Sequence, residues 1–221
     1  MKDKLLALFS LQKLPFWGVS VLCIIMAVAT FVEKDQGTAY TYSHIYGSWW
    51  FSALWGILAI LCIVGIIKGQ VYKNISLLLV HISFILILGG ALCTKLSAKH
   101  GYVILNKDSP CNVMMYEDER TEVLPFAIKL DTFYISYYPG TDAPADYISH
   151  FTITDSSQKQ EISGKVSMNN IFDHDGYRFY QSSFGDDMQS STLSVNRDIY
   201  GIPLTYAGYA LFILSMIWYL F

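Results

Sequence analysis

Four uncharged apolar stretches leave this sequence few ways to fold. They are Phe16–Val32, Trp49–Ile67, Ile75–Thr94 and Tyr200–Phe221. A helix needs about 20 apolar residues, range roughly 17–25, to cross a hydrocarbon core. All four stretches satisfy that length, the first only just. With 53% apolar residues and a positive mean hydropathy of +0.35, composition argues against a soluble chain. The expected architecture is a membrane protein of α+β class, in which four transmembrane helices carry one β-rich domain between the third and the fourth.

The first stretch has an alternative reading as a cleaved signal peptide. It has a basic start (Lys2, Lys4, Lys13) and an Ala27-Val28-Ala29 that resembles a cleavage site. Its apolar run exceeds the usual 7–15 residues of such signals, and Phe16-Trp17 suits an interfacial anchor, so a retained helix is favoured.

Basic residues then set the topology. With the N-terminus inside, residues 1–15 and 68–74 place Lys2, Lys4, Lys13, Lys68 and Lys73 on the cytoplasmic side against one acid, Asp3. That is the Lys and Arg excess expected of short inner loops. The resulting map is helix one at 16–32, an outer loop at 33–48, helix two at 49–67, helix three at 75–95, an extracytoplasmic domain at 96–199 and helix four at 200–221. Trp49, Trp50 and Phe51 read as an aromatic belt, as do Trp218 and Tyr219 at the other face. The small pair Gly89-Gly90 should let a neighbouring helix approach closely.

The outer domain holds fifteen acids and eight bases between Lys95 and Tyr200. This negative balance argues against nucleic acid, which requires a basic stripe. Phe126–Leu130, Thr132–Tyr138, Tyr147–Thr154, Gln160–Val166, Tyr177–Ser182 and Thr192–Asn196 read as strands. Turns are expected at Pro139-Gly140, Asp155-Ser156 and Asp173–Gly176, and the whole as a sandwich or open barrel. Tyr134, Tyr137, Tyr138, Tyr177 and Tyr180 would line a partner surface or fill the core. The four cysteines, Cys23, Cys62, Cys93 and Cys111, form no C-x-x-C pair. That spacing argues against a thiol–disulfide oxidoreductase and a zinc site.

His81 is the residue with chemistry to offer. It is the one strongly titratable side chain inside the four stretches, where a polar ring costs free energy unless something satisfies it. A neutral imidazole can ligate haem iron, bind another metal, relay a proton or hydrogen-bond a neighbouring helix. The packing alternative would draw on hydroxyls such as those of Ser83 or Thr94. No carboxylate shares the stretch, which disfavours a proton relay. His44 lies in the outer loop, His100, His150 and His174 in the outer domain, none at metal-ligand spacing, and His174 reads as a solvated turn. No nucleophile elbow, phosphate-binding glycine loop or paired-carboxylate arrangement occurs.

Several stretches together resemble one family. Ala29–Phe51 (ATFVEKDQGTAYTYSHIYGSWWF) is similar to the first-loop signature of ResB-like cytochrome c biogenesis proteins. LLLVHISFILILGGA around His81 resembles their membrane-histidine helix. Pro125–Asp155, Gly176–Asp187 and Ser194–Phe212 look like their recurring segments, in the right order.

The resemblance implies the CcsB half of a CcsBA-type, System II machine in the bacterial inner (plasma) membrane. Haem b, a transient and substrate-like cofactor, would pass through the membrane bundle. Its vinyl groups are then joined to the thiols of a C-x-x-C-H motif in an apocytochrome c. His81 would be an axial ligand to the haem iron on the inner side of that route. The tryptophan-rich outer haem segment and flanking histidines of the CcsA half are absent here. The resemblance therefore implies a CcsA-type partner, separate or fused, and a non-catalytic part of a cytochrome c synthase (haem lyase) complex. The alternative is a scaffold for that partner which never binds haem; a receptor for an extracellular ligand has less support.

Overall fold

The computed structural model describes residues 13–155 and 161–221. Lys2, Asp3 and Lys4 of the basic start, and Ser156 and Gln160 of the expected turn and strand, lie outside the described residues. The chain divides into two compact units, residues 1–93 with 201–221, and residues 94–200.

Four long helices make the first unit: α1 Leu14–Gln36, α2 Trp49–Lys68, α3 Ile75–Ser97 and α4 Gly201–Leu220. Each is long and apolar enough to cross a membrane. Local sequence accounts for their ends. Pro15 sits in the first turn of α1, where a missing N–H costs nothing. The Ser48 hydroxyl accepts from the Phe51 N–H at the start of α2, and Asn74 Oδ1 accepts from the Leu77 N–H at the start of α3.

Residues 33–48, expected as a surface connection, are mostly helical. α1 runs on to Gln36 and stops at Gly37, whose φ of 86° is open to glycine. A turn of α-helix, Thr38–Thr41, passes into a π-helical segment, Tyr42–Tyr46, closed by the Gly47 N–H donating to the Tyr42 carbonyl at 2.7 Å. The aromatic belt also divides. Trp49 is 81% exposed, whereas Phe51 is buried with Leu22 and Leu58, and Trp50 packs against that cluster. A Cβ on Gly18 would lie 2.7 Å from Leu58, so glycine there lets α1 and α2 close together.

α3 and α4 meet through small residues. A Cβ on Gly90 would come within 2.8 Å of the Thr205 backbone nitrogen, and one on Gly208 within 3.0 Å of the Ile87 nitrogen. Of the expected pair, Gly90 makes the close approach; Gly89 has only Leu204 nearby, at 3.9 Å.

The second unit is one antiparallel sheet: β1 Lys99–Asn106, β2 Cys111–Met115, β3 Thr121–Tyr137, β4 Pro144–Asp155, β5 Glu161–Val166, β6 Phe172–His174, β7 Tyr177–Phe184 and β8 Ser190–Arg197. The strand order is β5-β4-β3-β2-β1-β8-β7-β6. The sheet curls until distant strands touch. Phe151 on β4 meets Phe172 and Phe179 on β6 and β7, and Phe126 on β3 meets Tyr177. Inside lies a core of Val103, Leu105, Met114, Phe126, Ile128, Leu130, Phe151, Phe179, Leu193, Val195 and their neighbours.

Three strand expectations need correction. Phe126–Leu130 and Thr132–Tyr138 belong to one long strand, β3, with a register shift between Leu130 and Thr132 where Asp131 adds a bulge. β1 and β2 lie where no strand was expected. His174 ends strand β6, its ring 5.1 Å from that of Phe126, and the turn is confined to Asp175-Gly176. Tyr177 is core at 2% exposure, while Tyr134, Tyr137 and Tyr138 are exposed.

Candidate functional site

His81 lies in the seventh position of α3, on a helix half-buried along most of its length. Its Nδ1 is 2.8 Å from the carbonyl oxygen of Leu77, one turn earlier. A carbonyl can only accept, so in the neutral ring Nδ1 carries the proton and Nε2 keeps its lone pair. No other described residue hydrogen-bonds the ring. Histidines that ligate metals are commonly held this way, with the far nitrogen donating to a carbonyl or carboxylate that fixes tautomer and orientation.

The hydroxyls expected of a packing partner are used elsewhere. Ser83 donates to the Val80 carbonyl at 2.7 Å, and Thr94 donates to Asp198 Oδ2 at 2.6 Å. Sequence reasoning overlooked Cys62 of α2, whose thiol points at the His81 carbonyl oxygen at 3.7 Å. That contact brings α2 beside the backbone of the histidine. No local motif signals it, because the pair is nineteen positions apart.

The other histidines are dispersed. His44, exposed in the π-helical segment, has Nδ1 3.0 Å from the Tyr40 carbonyl and its ring stacked on Tyr40 at 4.0 Å. His150 stacks on Tyr134, and His174 abuts Phe126. Among the described residues no three His, Cys, Asp or Glu side chains are grouped to hold a metal ion. One imidazole with a free Nε2 in an apolar helix can supply a single axial bond to a metal whose other ligands arrive with it, as a porphyrin's do.

The ResB-like family model matches residues 67–205, well over half of the sequence and including His81. This chain belongs to the ResB-like family. Among relatives, this ResB-like protein is 23% identical to Protein NrfI of Wolinella succinogenes, over 90% of the chain and 33% of NrfI. It thus spans about a third of that relative's length. A solved structure of the cytochrome c haem lyase CcmF is similar over 90% of this chain and 33% of its own, at 12% identity and a TM-score of 0.43. A likeness that loose assigns neither fold nor function. Family and helices together make the chain a multi-pass membrane protein.

Proposed function

We propose that this ResB-like chain handles haem during cytochrome c biogenesis, with His81 as an axial ligand to the iron. Family membership supports the process. The observation that carries the ligand role is the Nδ1 bond of His81 to the Leu77 carbonyl, which leaves Nε2 as a lone-pair donor within an apolar helix. Haem would be cargo, held reversibly by a neutral imidazole and passed to a CcsA-type partner, with an apocytochrome c as the eventual acceptor. Lys13, Lys68 and Lys73 at the ends of α1 and α2 and in the loop before α3 support an N-terminus on the cytoplasmic side. His81 then lies in the inner half of its span, in the bacterial inner membrane.

The deciding experiment is the absorption spectrum of the chain, purified in mild detergent with its partner, for wild type and His81→Gly. A Soret band that weakens in the variant and returns with added imidazole supports direct ligation. A band unchanged by the substitution sinks the ligand role.

The same Leu77 bond also satisfies a histidine kept for packing, which favours a second reading as scaffold. His81→Gln tests it, because glutamine can hydrogen-bond but ligates haem poorly. Cytochrome maturation retained in His81→Gln favours the scaffold, and maturation lost with normal expression removes it.

A further inference from the structure

The core-facing positions of the curled sheet are apolar apart from the buried Ser149 and Ser191 hydroxyls and one charged end. On β1 they run Lys99, Gly101, Val103, Leu105; on β8, Ser191, Leu193, Val195, Arg197; on β3, Glu122, Leu124, Phe126. Alternation therefore aims Lys99, Glu122 and Arg197 along the face that elsewhere carries the core. All three stand at the end of the sheet where β1 begins and β8 ends.

Lys99 and Arg197 are directly opposite one another across the β1–β8 ladder, and Tyr177 is opposite Arg197 across β7–β8. Like charges placed so are destabilising unless something neutralises them. Glu122 is the neighbouring carboxylate, and both its oxygens are engaged: Oε1 with Lys99 at 2.5 Å, Oε2 with the Tyr116 hydroxyl at 2.5 Å. The hydrogen bond from Lys99 leads in holding the Glu122 carboxyl below the usual range, followed by that from Tyr116, with the Arg197 charge contributing less. Two cations thus lie near the Glu122 carboxylate, and only Lys99 bonds it.

Arg197 itself makes no ion pair among the described residues. Its guanidinium lies over the Tyr177 ring, 4.6 Å from the centroid, and one terminal nitrogen donates to the Tyr177 hydroxyl at 3.2 Å. Its Nε is buried without an acceptor among the described residues. Tyr177 is fixed in the core by Phe126. A guanidinium held over a rigid aromatic face, with donors to spare and no ion pair of its own among the described residues, is prepared for bidentate capture of a carboxylate or phosphate.

We propose that Arg197, assisted by Lys99, holds the oxyanion of an amphiphilic ligand at this end of the sheet. Two sources share that chemistry: a propionate of haem, which rests on the function proposed above, and the phosphate of an anionic phospholipid, which does not.

The test uses the full chain in detergent and in nanodiscs, as wild type, Arg197→Gln and Arg197→Lys, with thermal melts to establish folding. Haemin and haemin dimethyl ester are titrated by Soret absorbance. Phosphatidylglycerol and phosphatidylcholine retention is read by native mass spectrometry. If the ligand is a propionate, Arg197→Gln weakens haemin binding about tenfold, the worth of one charge-assisted pair, and leaves the ester unchanged. If it is a lipid phosphate, the variant loses phosphatidylglycerol but not phosphatidylcholine. Should the glutamine variant not fold, Arg197→Lys keeps the charge without the fork and is expected to weaken binding severalfold. Equal behaviour of wild type and a folded variant towards all four probes overturns the proposal. Absence of haemin binding by wild type, confirmed with partner present, removes the haem reading and leaves the phospholipid comparison to judge the site.

Discussion

The imidazole Nδ1 of His81 and the carbonyl oxygen of Leu77 lie 2.8 Å apart within one helix. The bond sets which nitrogen remains basic. In chain labelled with nitrogen-15 histidine, Nδ1 is the nitrogen of His81 expected to hold the proton when the ring is neutral. The opposite tautomer would mean that Nε2 is not a lone-pair donor, and the ligand role would fall with it.

Gly89 and Gly90 are adjacent yet face different surroundings. A methyl on Gly90 would meet the Thr205 backbone nitrogen at 2.8 Å and the Gly201 carbonyl at 3.0 Å, while one on Gly89 meets only a flexible Leu204 methyl at 3.9 Å. Backbone cannot move aside as a side chain can. Gly90→Ala should destabilise by about 1–3 kcal/mol, the usual cost of overpacking, and Gly89→Ala by under about 0.5 kcal/mol. Thermal or denaturant melts in detergent compare the two. Equal effects would contradict the α3–α4 contact.

Glu122 ties the second unit's stability to pH. Its carboxyl titrates lower in the folded chain than in the unfolded, so the unfolded state binds the proton more readily. The contribution is present above the unfolded value of 4.5 and is lost as pH falls through the depressed folded value. For a pair still partly exposed it is of order 1 kcal/mol. Glu122→Gln should therefore be less stable than wild type at pH 7, and the gap should close on acidification below 4.5. A gap that persists unchanged in acid would rule out the charge as its cause.

Tyr116 works in the opposite direction. Burial, then its hydrogen bond to Glu122, pushes the phenol up to about 12. Its share of stability is whole below the ordinary value of 10.0 and is lost as pH rises through about 12. Tyr116→Phe should flatten the alkaline arm of the stability profile, and an unaltered arm would refute that coupling.

Gln181 closes the curled sheet from within. Its amide joins Ser149 at 2.6 Å and Ser191 at 3.0 Å, and the two buried hydroxyls lie 2.8 Å from each other. Gln181→Leu leaves those hydroxyls with less than their full set of partners, at a cost of about 1–3 kcal/mol. Replacing both serines by alanine in the leucine variant should recover part of the loss. Additive losses in a melt series would show that the three do not act as one network.

The sequence by itself determined the four helices and the singularity of His81, because both depend on quantities carried by consecutive residues. Apolar length decides a span, and a lone ionisable ring within one stands out without any partner being known. Alternation likewise exposed much of β3, β4, β7 and β8. The sequence did not disclose β1 and β2, whose weaker patterns are stabilised by pairing with β8 and β3, nor the single β3 across its bulge. Tertiary structure alone decided which groups from distant segments meet. Cys62 reaches His81 from another helix, Phe51 turns inward from a run that reads as an interface belt, and Lys99 comes to face Arg197 from ninety-eight positions away. Such contacts are set by packing and register between distant segments, and no local window of sequence contains them.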